Sequence, residues 1–344
     1  MSAPELDRRP VAVICVTHNS SDHLEGFVAS IAASDIRRDI RLIFVDSGST
    51  DDTVGLAANL APWSDVCELP ANRGYGAGLN AGISFERATG RATTYVVANP
   101  DVRPSPSCIR LLVDTLIEPS CGITTPVLVD ENGHRQDTLG QFPTTLTTWT
   151  AALLGNRSAD RLGLPVDVLC APRHYAHSRN VGWATGGLLG ISAVCANQTG
   201  PWPEHLFMYE EEVEYCRQAR RAGFTTTFVP EAVAVREVGH DQPERWRHAL
   251  MRANRVSLAA GRQRLGVASG LIVGDLLRAS RPQARAGLWA ITHGATPQQI
   301  LRRYLPSATI EFRSADAAPS QAEAVHRALS AESSNSPIRP GASV

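Results

Sequence analysis

Residues 11–17 read VAVICVT, a short and continuously apolar run rich in β-branched side chains. Such a run is too short for a helix and too uniformly apolar for a strand with one wet face. It reads as a strand buried on both sides, as in a parallel sheet. A polar loop follows at 18–21, and residues 22–33 then place Leu24, Phe27, Val28 and Ile31 at helical spacing. A second buried strand is expected at 41–45 (RLIFV), ending in an Asp- and Ser-rich loop with several helix caps before 54–60. A third strand is read at 65–69 (DVCEL). A glycine-rich turn at 72–80 then enters a helix through about residue 88. A strand at 93–98 stops at Asn99-Pro100-Asp101, and a helix spans about 106–117. This alternation argues for an open, mostly parallel α/β sheet with flanking helices. Ligands of such sheets bind beyond the carboxyl ends of the strands, the edge where Asp46 and Asp101 fall.

Beyond residue 117 the pattern weakens. Residues 118–180 are rich in Thr, Pro and Leu, and read as short strands plus a long surface excursion. Residues 181–194 are apolar and glycine-rich. A helix opens within Glu210-Glu211-Glu212-Val213-Glu214, and strand-like runs at 225–229 and 232–235 lead to His240. From Arg245 to Arg303 eleven arginines accompany helically spaced apolar residues, with Asp275 the one acid in that span. The expected organisation is a catalytic domain at 1–244, an Arg-rich helical appendage at 245–305, and a tail at 306–344 with the composition of a disordered segment.

Composition narrows the function. The chain has 344 residues, a formal net charge of −1 and 43% hydrophobic residues, enough to build a full core. A neutral chain does not suit a general nucleic-acid binder. All 33 basic residues are arginine, so chemistry that depends on a Schiff-base or phosphate-loop lysine is excluded. The seven cysteines form no C-x-x-C pair, which argues against a zinc site or a disulfide framework and for a reducing, cytoplasmic setting. No apolar run reaches the length of a membrane span.

Four elements converge on the binding edge: Thr17-His18-Asn19, Asp46, the 72–80 loop, and Asn99-Pro100-Asp101. Glycines let a ligand approach backbone N–H groups, and a carboxylate at a strand end can hold a hard cation that bridges phosphates. Taken singly, each has a bland reading: a helix cap for Asp46, a turn for NPD, a solvated helix face for the glutamates. Their order and spacing together point to a nucleoside-diphosphate site.

That ordered set resembles the family 2 glycosyltransferases. The matching residues are Val16-Thr17-His18-Asn19-Ser20, Val45-Asp46-Ser47-Gly48-Ser49-Thr50-Asp51, the 72–80 loop, Asn99-Pro100-Asp101, Trp183-Ala184-Thr185-Gly186-Gly187, Phe207-Met208-Tyr209 with the acids, and His240. The similarity spans about residues 10–255 and is nearest to bacterial rhamnosyltransferase-like members that build cell-surface polysaccharides. It implies a GT-A fold and an inverting transfer of a sugar from a nucleotide-diphosphate donor. A dTDP-rhamnose donor is favoured, with a UDP-sugar as alternative, and the acceptor is a glycan or lipid-linked hydroxyl. The resemblance assigns Asp46, Thr17 and Asn19 to the nucleotide; Arg73, Gly74, Asn80 and Asn99 to its diphosphate surroundings; and Trp183, Gly186 and Gly187 to donor sugar and acceptor. Asp101 and His240 would contact a Mg or Mn ion. Glu212, with Glu211 next, would be the catalytic base. Here Glu stands where the family has Asp at the second position of the acidic pair, and His18 where Tyr is more usual.

Two other readings stand beside this one. A sugar-phosphate nucleotidyltransferase would carry an Arg/Lys-rich glycine signature near the first strand, which residues 18–22 lack. A non-catalytic nucleotide-sugar-binding homologue would keep the pocket without the base. For the Arg-rich segment at 245–304 two placements stay open: on the inner face of an anionic membrane, or packed against the catalytic domain or a second copy of the chain.

Overall fold

The computed structural model describes residues 10–237, 244–306 and 310. The strands are β1 (Val11–Thr17), β2 (Ile40–Ser47), β3 (Asp65–Leu69), β4 (Thr94–Ala98), β5 (Val102–Pro104), β6 (Cys121–Val129), β7 (Leu139–Gly140), β8 (Val168–Leu169), β9 (Arg179–Val181), β10 (Trp183–Ala184), β11 (Leu188–Ser192) and β12 (Thr225–Arg236). The helices are α1 (Ser21–Ala32), α2 (Thr53–Leu60), α3 (Tyr75–Thr89), α4 (Cys108–Thr115), α5 (Thr145–Leu154), α6 (Asn156–Arg161), α7 (Ala193–Thr199), α8 (Glu211–Arg221), α9 (Arg245–Ser257), α10 (Gln263–Arg278), α11 (Arg281–Thr292) and α12 (Pro297–Tyr304).

One nine-stranded sheet organises the described residues, in the order β3-β2-β1-β4-β11-β6-β12-β5, with β9 paired to β12. Every residue of β1 is buried, as its uninterrupted apolar run requires. β1 pairs in parallel with β2 and β4, and β2 with β3. Parallel pairing holds through this half. Past β4 the sheet is mixed: β11 runs antiparallel to both β4 and β6, while β6 and β12 are parallel. Two apolar layers cover the two faces of the sheet, one built on Ile14, Val45, Leu79 and Val97, the other on Val13, Phe27, Phe44 and Leu112. Close packing of α3 on the first layer needs its glycines: a methyl group at Gly78 would lie 2.5 Å from the Val16 side chain, and one at Gly82 2.5 Å from Ile14.

The stretch at 118–180 departs from its irregular reading. It supplies the nine-residue core strand β6 and the helices α5 and α6. Thr124, Thr125 and Pro126 break the apolar pattern of β6, yet both threonines are buried, and Thr124 Oγ1 donates to Leu112 O at 3.2 Å. The two strand-like runs at 225–235 are a single strand with a bulge. Val229 pairs with Pro126 and Val233 with Val127, so residues 230–232 loop out where Pro126 and Pro230 have no N–H to give.

The Arg-rich region is helical, as its periodicity implies, and packs on the rest of the chain. Leu250, Ala253 and Ala290 from α9 and α11 form a third apolar cluster that also takes in Phe207. The tail expected beyond 306 lies outside the described residues apart from Ile310.

Candidate active site

The site begins where β1 and β2 end. Asp46, buried at the penultimate position of β2, accepts from Thr17 Oγ1 at 3.0 Å and from Ser49 N–H at 2.8 Å, with the Ser49 hydroxyl as a third donor. It caps no helix; the N-cap of α2 is Asp52. Asn19 sits at φ +50° and clasps the facing loop: its Oδ1 accepts from Thr50 N–H at 2.8 Å, and its own N–H donates to Ser49 Oγ at 2.8 Å. The carboxyl ends of the two strands are thereby locked into one wall. Thr17, Asn19 and Asp46 are together, as the sequence reading expected.

The glycine-rich loop is also here, but its hydrogen bonds go elsewhere than expected. Gly74 N–H donates to Asn72 Oδ1 at 2.9 Å, and Tyr75 N–H to Phe207 O at 2.9 Å. Arg73 pairs with Glu204 at 2.8 Å, and Asn80 bonds Trp202 O, Trp202 N–H and Glu204. The amides of Gly74 and Tyr75 thus meet protein acceptors rather than standing open to a ligand. Arg73, Gly74 and Asn80 tie α3 to the 202–207 loop, a link that sequence alone did not give.

Asn99 and Asp101 form the third wall. Asn99 N–H donates to Gly187 O at 2.9 Å, and its carbonyl accepts from Val102 N–H at 3.2 Å, so the NPD segment is a turn. Asp101 Oδ2 accepts from Arg236 Nε at 3.1 Å, whereas Asp101 Oδ1 is buried without a hydrogen-bond partner among the described residues. A buried carboxylate oxygen left bare is costly unless a cation or donor completes it, so this oxygen fits a metal ligand. Among the described residues no three His, Cys, Asp or Glu side chains gather around one point. His240 lies outside the described residues.

The acidic run opens α8. Glu210 adopts φ +73° as the N-cap of α8, and its carboxylate meets Arg255 Nε at 2.5 Å; Arg255 also pairs with Asp167. Glu211 is buried, and its Oε2 has no partner among the described residues. Burial, followed by the charge of Glu212, holds the Glu211 carboxyl well above the ordinary carboxylate range. Glu212 is half-buried, and burial together with the Glu210 carboxylate pushes its carboxyl up to about 7, against the opposing pull of Arg255 and Arg236. Three adjacent glutamates therefore have three environments: one paired, one sealed, one half-buried.

Gly186 and Gly187 join the two sides. A methyl group on Gly186 would sit 3.3 Å from Tyr75 Cε1 and 3.8 Å from Glu212 Cβ; on Gly187 it would sit 3.6 Å from Arg236 Nη1. Tyr75 OH donates to Gly186 O at 2.8 Å, and burial with Glu211 nearby keeps its phenol protonated by raising it further. Gly186 thus lies near Glu212, and the adjacent Gly187 near Arg236, the partner of Asp101. Trp183 is buried beside it, donating from Nε1 to Gln141 O at 2.9 Å. Sequence reasoning passed over Tyr75, Arg236 and Arg255. The signal for Arg255 was available: a run of buried acids needs a cation, and only helix packing reveals which arginine supplies it.

With this geometry in place, the comparisons are direct. Residues 12–170 match the family model described as glycosyl transferase family 2. That segment is a family 2 glycosyltransferase domain. The curated relatives of this glycosyltransferase include the N-acetylglucosaminyl-diphospho-decaprenol L-rhamnosyltransferase of Mycobacterium tuberculosis. It is 29% identical over 239 residues, covering 66% of this chain and 76% of the relative. In fold the glycosyltransferase is similar to a mannosyltransferase from Pyrobaculum calidifontis in complex with GDP-Man and Mn2+, with a TM-score of 0.51, 19% identity, and coverage of 88% of this chain and 84% of that one. It is also similar to GalNAc-T7 with UDP, GalNAc and Mn2+, with a TM-score of 0.58, 13% identity, and coverage of 87% and 57%. These two likenesses concern the GT-A fold alone. The acidic run, at the start of α8, and Arg236, at the end of β12, lie beyond the matched segment.

Proposed function

We propose that this glycosyltransferase moves a sugar with inversion from a nucleoside-diphosphate donor to an acceptor hydroxyl, with Glu212 as base. The M. tuberculosis relative favours L-rhamnose as the sugar, hence a dTDP-rhamnose donor, and a lipid-linked saccharide diphosphate as the acceptor. The observation that carries the reading is the half-buried carboxyl of Glu212, raised to about 7, with Gly186 and Gly187 placed between it and Arg236, the partner of Asp101.

Each residue then has a task. Asp46, Thr17 and Asn19 form the wall for the base and ribose. Glu212 accepts the proton of the acceptor hydroxyl as its oxygen bonds to the anomeric carbon, while the bond from that carbon to the diphosphate oxygen breaks. Attack on the face opposite the leaving group inverts the anomeric centre. A Mg or Mn ion held by Asp101, with His240 as a second proposed contact, would neutralise charge growing on the departing diphosphate. Arg236 lies beside Asp101 and adds a fixed positive charge there.

Two outcomes follow for this reading. The base works ionised, so kcat/KM should rise with pH and level off above about 7, falling about tenfold per pH unit on the acid side. Initial rates from pH 5.5 to 9 would check it, and a flat profile down to pH 5.5 would remove Glu212 from the role. For the cation, Asp101→Asn should abolish the additional rise in thermal midpoint that Mn gives to a dTDP- or UDP-bound protein. That readout needs no turnover. An undiminished Mn increment in the variant would place the ion elsewhere.

A further inference from the structure

Twelve large apolar side chains are strongly exposed among the described residues, and nine of them fall in two segments, 146–164 and 265–288. These segments are adjacent in space. α5 and α10 lie side by side in the same direction, with Gly266 against Thr145, Gly270 against Trp149 and Gly274 against Ala152. Small residues at every fourth position let the helices touch, and Arg278 caps α5 by donating to Leu153 O at 2.8 Å. With the glycine edge turned to α5 and Val267 and Asp275 turned inward, the outer stripe of α10 is Leu265 (80% exposed) and Leu276 (70%). α5 adds Leu146 and Leu153.

The exposed charge in these segments has one sign. Arg161, Arg281 and Arg285 are exposed in these segments and Arg262 and Arg264 just before the second; Arg157, paired with Asp137, and Arg278, which caps α5, are exposed there too. The acids there, Asp160 and Asp275, are both buried and paired, Asp275 with His248 and Arg252. A face of leucines in segments whose exposed charge is all arginine has two kinds of occupant. A symmetric dimer through this face would bring the arginines of one copy against those of the other. An anionic bilayer complements both features at once, taking the leucines into its acyl boundary and the arginines to its head groups.

We propose that the α5–α10 face docks the protein on an anionic lipid bilayer. The inference goes beyond the transferase reading and does not depend on it. It also moves the contact expected of 245–304: Arg252 and Arg255 are spent on internal ion pairs, and the apolar part is shared with α5 from the middle of the chain.

Vesicle co-sedimentation of the full chain tests it, comparing phosphatidylcholine alone with phosphatidylcholine containing about a third phosphatidylglycerol. Binding should appear with the anionic vesicles and weaken as salt is raised. Leu265→Ser combined with Leu276→Ser should lower partitioning at least about tenfold, since each leucine buried is worth that much or more. The thermal midpoint and donor hydrolysis should stay unchanged, and Ile117→Ser, on a different exposed surface, should bind as the parent does. Absence of binding to anionic vesicles, or equal binding by the double variant, overturns the proposal. So does a dimer in solution that the double variant dissociates, which would assign the face to a second copy.

Discussion

Glu212→Gln should lower kcat by about 10²–10⁴-fold while leaving donor affinity near that of the parent, because the amide keeps the size of the carboxyl and loses its ability to take a proton. The accompanying change in stability has the opposite sign to ordinary loss of function. Glu212 is raised to about 7 in the folded protein, above an ordinary carboxyl. On raising the pH, the unfolded chain gives up this proton first, so the contribution is intact below the ordinary carboxyl range and is lost as pH climbs through about 7. Glutamine removes that loss. At pH 8 the variant should melt no earlier than the parent. Single-turnover rates with saturating donor, set beside melting curves at pH 6 and 8, would read both effects. A rate within threefold of the parent would end the assignment, and Glu211→Gln would then be the natural next variant.

Gly74→Ala should be the most damaging small substitution in the glycine-rich loop. Gly74 sits at φ +88° and ψ 170°, a region that L side chains scarcely enter, at a cost of about 1–3 kcal/mol for the backbone alone. Its new methyl would also fall 2.1 Å from the carbonyl oxygen of Phe207, a backbone atom with no rotamer to escape into. Phe207 precedes the acidic run by three residues, so relieving the clash displaces the segment that aims Glu212. A total loss of about 3 kcal/mol is expected, with kcat falling along with the melting midpoint. Gly200→Ala is the matched control: its φ is +87°, but no atom lies within 4 Å of the added methyl. Equal melting midpoints for the two variants would mean that contact with Phe207 contributes nothing.

The first half of the molecule was legible for a definite reason. Strands buried on both faces cannot alternate, so VAVICVT and RLIFV announce themselves, and the Asp46 and NPD positions follow at their ends. The core strand β6 hid because two buried threonines and Pro126 imitate a loop; only the partner strand, with its bulge opposite that proline, shows why the sheet accepts them. The walls around Asp46 and Asp101 could be read from spacing, since each lies at a strand end. What the 72–80 loop touches could not. Its glycines allow close approach to anything, and here the neighbour is the 202–207 backbone. The three glutamates could not be ranked without knowing that Arg255, forty-five residues further on, claims the first of them.

Asn254 carries a wider meaning. Its single amide nitrogen bonds the carbonyls of Leu206, Met208 and Tyr209 at 2.9, 2.9 and 3.0 Å, and the neighbouring Arg255 grips Glu210. The change in composition at residue 244 is therefore not a seam along which the molecule can be divided. The helices that follow are the splint of the 206–210 segment, and a chimera that exchanges them for another appendage must bring along an amide and a guanidinium at these two places.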